Sequence, residues 1–248
     1  MNFLNFPKNR HLPVLSDASR AAIIAFMRFR SGRLSLVLLL LMPFFISACT
    51  SPPAGIIIFC AGDSITAEAY PHFLRQILNQ QGIKARVLNY GRNGNTSGEY
   101  LRFLEGNVER LKEERPDIIL LELGTNDVRV DADNTPADVF KDNLKKIISV
   151  FRTFQSRSGR APKIFLATIP PIPPGIPFPF GPDSVRRVFE EINPAIRAIC
   201  EEENILSVDN YSIFLNEPSL LPDVHPSREG YRRLAENWYA ALKPLIKQ

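Results

Sequence analysis

Apolar positions along the chain recur with two alternating periods. The runs Gly55-Ile56-Ile57-Ile58-Phe59-Cys60-Ala61 and Asp117-Ile118-Ile119-Leu120-Leu121-Glu122-Leu123 are nearly continuous, which predicts parallel strands covered on both faces. Between them the spacing becomes helical. Phe73, Leu74, Ile77 and Leu78 predict one apolar helical face over 70–81, with Gly82 as its C-cap. Phe140, Leu144, Ile147, Ile148 and Phe151 predict a second, opened by Thr135-Pro136. Further strands are expected at 84–89, 163–168 and 205–208, and further helices over 97–114, 183–203 and 227–246. Residues 170–182 hold too many prolines for regular structure and are too apolar for a solvated linker. Strands alternating with helices of these lengths predict an α/β protein, a three-layer α/β/α sandwich. Its five-stranded parallel sheet is expected in the flavodoxin-like order 2-1-3-4-5 with right-handed crossovers. The first and third strands are then neighbours, so Ser64 and Asn126 emerge side by side.

Ahead of the first strand the pattern is different. Arg28, Arg30 and Arg33 precede an apolar run from Leu34 to Ile46, shorter than the ~20 residues that cross a bilayer as helix. This is the pattern of an export signal. Ile46-Ser47-Ala48-Cys49 is similar to a bacterial lipobox, which implies diacylglyceryl transfer to Cys49, cleavage before it and acylation of the new amino terminus. More than one acyl chain is what stable anchoring requires. An ordinary cleaved signal and an uncleaved amino-terminal anchor remain open. The expected organisation is a signal peptide over 1–48, a tether over 49–55 containing Pro52-Pro53, and one folded domain over 56–248. Residues 1–26 make a long amino-terminal region, and a start at Met27 gives a conventional one. Thr50 stands where an aspartate would resemble an inner-membrane retention signal. The expected location is therefore the cell envelope, lipid-anchored, at the outer membrane facing the periplasm.

Charge alters the picture once it is located. A pI of about 9.0 invites a nucleic-acid reading. Six Lys or Arg against one Asp give residues 1–48 a charge of +5, which exceeds the whole chain's +4 and leaves −1 for the remainder. The folded part thus has no net attraction for nucleic acid. With Cys49 lipidated, Cys60 and Cys200 remain where a disulfide is permitted, although a buried strand and a helix make two inert core thiols the expectation. No cysteine and histidine cluster has metal-ligand spacing. Neither metal nor cofactor is expected.

Four polar segments fall at one predicted edge of the sheet. They are Gly62-Asp63-Ser64, the loop Asn89 to Thr96, Gly124-Thr125-Asn126-Asp127, and Asp223-Val224-His225-Pro226-Ser227. A serine at the carboxyl end of a strand, just before a helix, sits where open α/β sheets place ligands. Acyl transfer needs a base for that serine and donors for the developing oxyanion. Beyond the leader the only histidines are His72, on the helix after the serine, and His225, on a proline-flanked loop. His225 is the candidate base. Candidate donors are the Ser64 N–H, the Gly94 N–H and the Asn126 side-chain amide. Gly91 and Gly94 as turn glycines, and Asn126-Asp127 as a capping pair, are the structural alternatives.

Together these four ordered blocks, spread over 56–227, resemble the GDSL, or SGNH, hydrolases. The resemblance implies a metal-independent esterase, lysophospholipase or thioesterase that acts on a small-molecule acyl ester. It implies Ser64 as nucleophile, His225 as base, and Ser64, Gly94 and Asn126 as oxyanion donors. One block departs. The family places its triad aspartate three residues before the histidine, where this chain has Pro222; Asp223 lies two before. Residues two apart in an extended segment share a side, so Asp223 is the candidate orienting acid. The alternative is an Asp223 that caps the turn and leaves a Ser-His dyad. The lipid anchor and the apolar segment from Ile169 to Pro182 favour lysophospholipid or another fatty-acyl ester. A carbohydrate O-acetylesterase of the envelope and a non-catalytic envelope-binding module with the same fold are the alternatives.

Overall fold

The computed structural model describes residues 55–246. The signal segment, Met27, Cys49 and all of the tether but Gly55 lie outside them. Within them, β1 (Ile56–Gly62), β2 (Ala85–Gly91), β3 (Ile118–Glu122), β4 (Lys163–Ala167) and β5 (Leu206–Val208) form one parallel sheet, ordered β2-β1-β3-β4-β5. This is the topology expected from the sequence. The helices are α1 (Ser64–Ala67), α2 (Tyr70–Gln80), α3 (Ser97–Lys112), α4 (Ala137–Arg152), α5 (Pro182–Arg187), α6 (Asn193–Glu202), α7 (Tyr211–Asn216) and α8 (Arg228–Ile246).

Alternation along β1 divides the core between the two faces of the sheet. Phe59 and Ala61 pack with Tyr100, Leu104, Phe140, Leu144 and Ile196 from α3, α4 and α6, whereas Ile58 and Cys60 pack with Leu74, Leu78, Leu234 and Trp238 from α2 and α8. The strand pattern is apolar on both sides because both sides are covered. Cys60 and Cys200 are buried and unbridged in these two separate cores, and burial pushes the Cys60 thiol up to about 12. No helix among the described residues is long and apolar enough to cross a membrane.

The single helix expected over 183–203 is in fact α5, a π-helical turn at Val188–Ile192, and α6. Pro194 has no N–H to give the preceding turn, and the wider turn makes room for its ring. The break has a use. Buried Asn193 accepts the Ile169 N–H at 2.8 Å and donates to the Ile169 carbonyl at 3.1 Å, which fixes the chain where the proline-rich segment leaves β4. The short α1 and α7 went unseen in the pattern because neither contains two turns of apolar spacing.

Candidate active site

Parallel register brings Gly62 level with both Gly91 and Glu122, so three connections leave the sheet at one edge. Gly62 is required there by close approach: a Cβ would lie 2.0 Å from the Glu122 carbonyl oxygen. Ser64 opens α1, whose N-cap Asp63 accepts the Ile65 N–H at 3.0 Å. The loop before α8 is closed by a 2.8 Å bond from the Ser227 N–H to the Leu220 carbonyl, and it carries His225 in from the opposite side. His225 Nε2 lies 2.9 Å from Ser64 Oγ. Ser64, Glu68, Asn93, Gly94, Thr125, Asn126, Phe180, Val224 and His225 line one cavity of about 300 Å³. The structure thus gathers Ser64, Gly94, Asn126 and His225, four residues singled out in the sequence. His72 is excluded from it, exposed on α2 with its Nδ1 3.1 Å from Arg75.

Asn126 and Asp127 turn to different partners. Asp127 is buried and accepts the Ser97 N–H at 2.9 Å and the Ser97 hydroxyl at 2.6 Å, tying this turn to the start of α3. Burial raises its pKa against those bonds. Asn126 instead faces the cavity, and its Nδ2 donates to the Asn95 carbonyl at 3.0 Å. One of its two amide hydrogens is thereby fixed and the other stays available. Gly94 has φ +75°, a conformation that favours glycine, and a Cβ there would meet no protein atom within 4 Å.

Asp223 does not stand as a buried triad acid would. Its Oδ1 accepts the His225 backbone N–H at 2.6 Å and lies 3.5 Å from His225 Nδ1, and the side chain is 61% exposed. The carboxylate therefore holds the turn first and reaches the imidazole only at long range. A second carboxylate, not singled out in the sequence, approaches the other nitrogen: Glu68 Oε1 is 3.9 Å from His225 Nε2. The buried Tyr231 hydroxyl donates to Glu68 Oε2 at 2.6 Å. The signal was Glu68's position, one helical turn beyond the serine.

Two acids lie beneath the serine turn. Asp63 and Glu122 are fully buried, and each has one carboxyl oxygen without a hydrogen-bond partner. Burial pushes Asp63 up to about 6, against the bond from the Ile65 N–H. Burial, reinforced by the nearby Asp63, pushes Glu122 up to about 8, although Asn210 donates to it at 2.8 Å. Among the described residues no group of three or more His, Cys, Asp or Glu is placed to hold a metal ion.

The proline-rich segment reaches the cavity through Phe180. Its path is held by the Val130 N–H, which donates to the Pro179 carbonyl at 2.8 Å. Buried Arg187, also unremarked in the sequence, donates to the Asp127 carbonyl at 2.9 Å and to the Thr135 carbonyl, and pairs with Glu191 at 2.9 Å. Two apolar cavities of about 360 and 220 Å³ flank the segment and share Ile172, Pro173, Pro174 and Val185.

A serine and a histidine in contact at the carboxyl edge of a 2-1-3-4-5 parallel sheet, with an amide donor in the same cavity, define a class of protein. The model of the GDSL-like lipase/acylhydrolase family matches residues 60–233, and the chain belongs to that family. It is 27% identical over 182 residues to a multidomain esterase of Ruminococcus flavefaciens, covering 68% of this chain and 22% of that protein. It is 26% identical over 211 residues to an acetylxylan esterase of Xylanibacter ruminicola, covering 74% of this chain and 42% of that protein. The chain thus spans less than half the length of either relative. Its fold is similar to that of Axe2, an acetylxylan esterase from Geobacillus stearothermophilus, with a TM-score of 0.61 at 22% identity over 76% of this chain and 94% of that one.

Proposed function

We propose that the protein is a serine ester hydrolase and that its substrate is an acetylated carbohydrate. The observation that carries the reading is the 2.9 Å contact between Ser64 Oγ and His225 Nε2, in a cavity that also presents Asn126 and Gly94. With its proton on Nδ1, His225 accepts the serine proton as Oγ attacks the carbonyl carbon. The oxyanion is received by the Ser64 and Gly94 N–H groups and the free Asn126 amide hydrogen. Collapse expels the alcohol, which takes the proton from Nε2, and water repeats the sequence on the acyl-enzyme.

The substrate assignment reverses the order suggested by the apolar leader and the proline-rich segment. A cavity of about 300 Å³ whose wall includes Glu68, Asn93, Thr125 and Asn126 suits a short acyl group on a polar alcohol. One of the two sequence relatives is an acetylxylan esterase, which points the same way. The fatty-acyl reading is supported by the two apolar cavities along the proline-rich segment and by Phe178, which is 73% exposed. In this proposal Cys49 anchors the enzyme to the outer membrane on the periplasmic side.

Fluorophosphonate labelling, compared with Ser64→Ala, tests the chemistry, and rates on p-nitrophenyl esters from acetate to palmitate test the substrate. Expected are labelling that disappears in the variant and rates that fall steeply beyond the shortest acyl chains. Folded protein that resists the probe would make it a non-catalytic binding module, and activity confined to long chains would transfer the assignment to fatty-acyl esters.

A further inference from the structure

We infer that Glu68 determines which alcohol the enzyme accepts, by favouring esters whose alcohol carries a vicinal hydroxyl, on the carbon adjacent to the one that bears the ester oxygen, and rejecting those with an anionic group in its place. The inference rests on the esterase reading above and deepens it.

The geometry starts from the path of the proton. His225 Nε2 first takes the Ser64 proton and then returns it to the leaving alcohol, so the leaving oxygen must come within about 3 Å of Nε2. Glu68 Oε1 lies 3.9 Å from that same nitrogen and lines the same cavity. It therefore borders the alcohol half of the substrate, whereas Asn126 and Gly94 border the carbonyl. Its position is fixed from both ends. The Glu68 backbone N–H donates to the Ser64 carbonyl at 3.0 Å, which puts nucleophile and carboxylate on one turn. At the far end Oε2 takes the Tyr231 hydroxyl at 2.6 Å, so Oε1 retains its lone pairs for the cleft. An ionised carboxylate can only accept hydrogen bonds. A vicinal hydroxyl supplies a donor at the required distance, as on a partly acetylated sugar ring. A carboxylate or phosphate at that position meets like charge instead.

The same carboxylate also faces the imidazolium that forms during turnover, so replacing it lowers every rate. The ratio between substrates separates the two effects. The test uses the full chain and three esters with one acyl group: 2-hydroxyethyl acetate, propyl acetate and acetoxyacetate. The wild type is expected to prefer them in that order by kcat/KM. Glu68→Gln removes the charge and should raise acetoxyacetate relative to propyl acetate about fivefold. Glu68→Met removes the acceptor and should cut the preference for 2-hydroxyethyl over propyl acetate about tenfold, the lower end for a charged hydrogen bond. Ratios within twofold of wild type in Glu68→Gln, with all three rates reduced together, would overturn the inference and leave Glu68 as a partner of the imidazolium alone. A wild type that hydrolyses none of the three removes the esterase reading and this inference with it.

Discussion

Replacing Asp223 by asparagine separates its two contacts. Oδ1 accepts the His225 N–H at 2.6 Å, and the asparagine carbonyl preserves that bond. What is lost is the charge facing Nδ1 at 3.5 Å, beyond good hydrogen-bonding range, on a side chain that is 61% exposed. An exposed pair of this kind contributes about 0.2–1 kcal/mol. The expected loss in kcat/KM for Asp223→Asn is therefore about 1.5- to 5-fold. A buried triad aspartate would behave otherwise, because its amide replacement costs about 10⁴-fold. Initial rates on p-nitrophenyl acetate for wild type, Asp223→Asn and Asp223→Ala, with His225→Ala as the null, provide the comparison. Salt supplies a second axis: the small gap between wild type and Asp223→Asn should close at about 1 M, where the Debye length is near 3 Å. A loss of 10³-fold or more in Asp223→Asn would refute the reasoning, because the carboxylate would then have to swing onto Nδ1 when substrate binds.

Three further outcomes follow from the same coordinates. Asn126→Ala removes a donor from the cavity and should lower kcat by about 10²–10³ with little change in thermal stability; a rate within twofold of wild type would remove Asn126 from the oxyanion site. Arg187→Met strips donors from the Asp127 and Thr135 carbonyls and leaves Glu191 with Arg186 as its partner, so urea unfolding should show a loss of roughly 2–4 kcal/mol, and a loss below about 0.5 would contradict the account. Glu122 supplies a pH signature. Burial pushes its pKa up to about 8, above the usual carboxylate range, so the folded state binds the proton more tightly and stability falls as pH rises from that range to about 8. From pH 6 to pH 8 that amounts to about 2 kcal/mol, above most of the window in which Asp63 contributes in the same direction. Urea midpoints for Glu122→Gln should flatten over this range, and parallel curves for variant and wild type would show the carboxyl to be ionised in both states.

Much of the fold was legible because the strands carry their own instructions. Ile57 to Ala61 and Ile118 to Leu121 are apolar on both faces, and only a parallel sheet sandwiched between helices covers both. The loop residues at the strand ends were legible for a different reason. Ser64, Gly94, Asn126 and His225 are of types that sheets do not need at such places, so their presence pointed away from packing. The contact of Glu68 with Tyr231 was not legible, since Glu68 lies in the turn after α1, Tyr231 on α8, and the two are 163 positions apart. The same holds for Arg187, whose sequence neighbours suggest an exposed helix face and whose burial follows from the carbonyls of a distant loop. The break at Pro194 was visible as a residue but not as a consequence, because a proline near the middle of a predicted helix can end it, kink it or widen one turn.

Each candidate reactive side chain stands beside a carboxylate occupied elsewhere. Asp63 takes the Ile65 N–H at 3.0 Å, Asp127 takes the Ser97 N–H at 2.9 Å, and Asp223 takes the His225 N–H at 2.6 Å. Asp63 and Asp223 hold the backbone of the turns from which Ser64 and His225 project, and Asp127 ties the Asn126 turn to the start of α3. None is placed to carry a proton for the reaction, which is why acidic residues in these motifs need not imply acid-base work. Two of the three, Asp63 and Asp127, are buried, and burial raises the pKa of both. The backbone bonds engage these carboxylates with the main chain and leave Ser64, Asn126 and His225 to meet the ester. Asp223, on the loop that brings in the base, is the exception in being exposed.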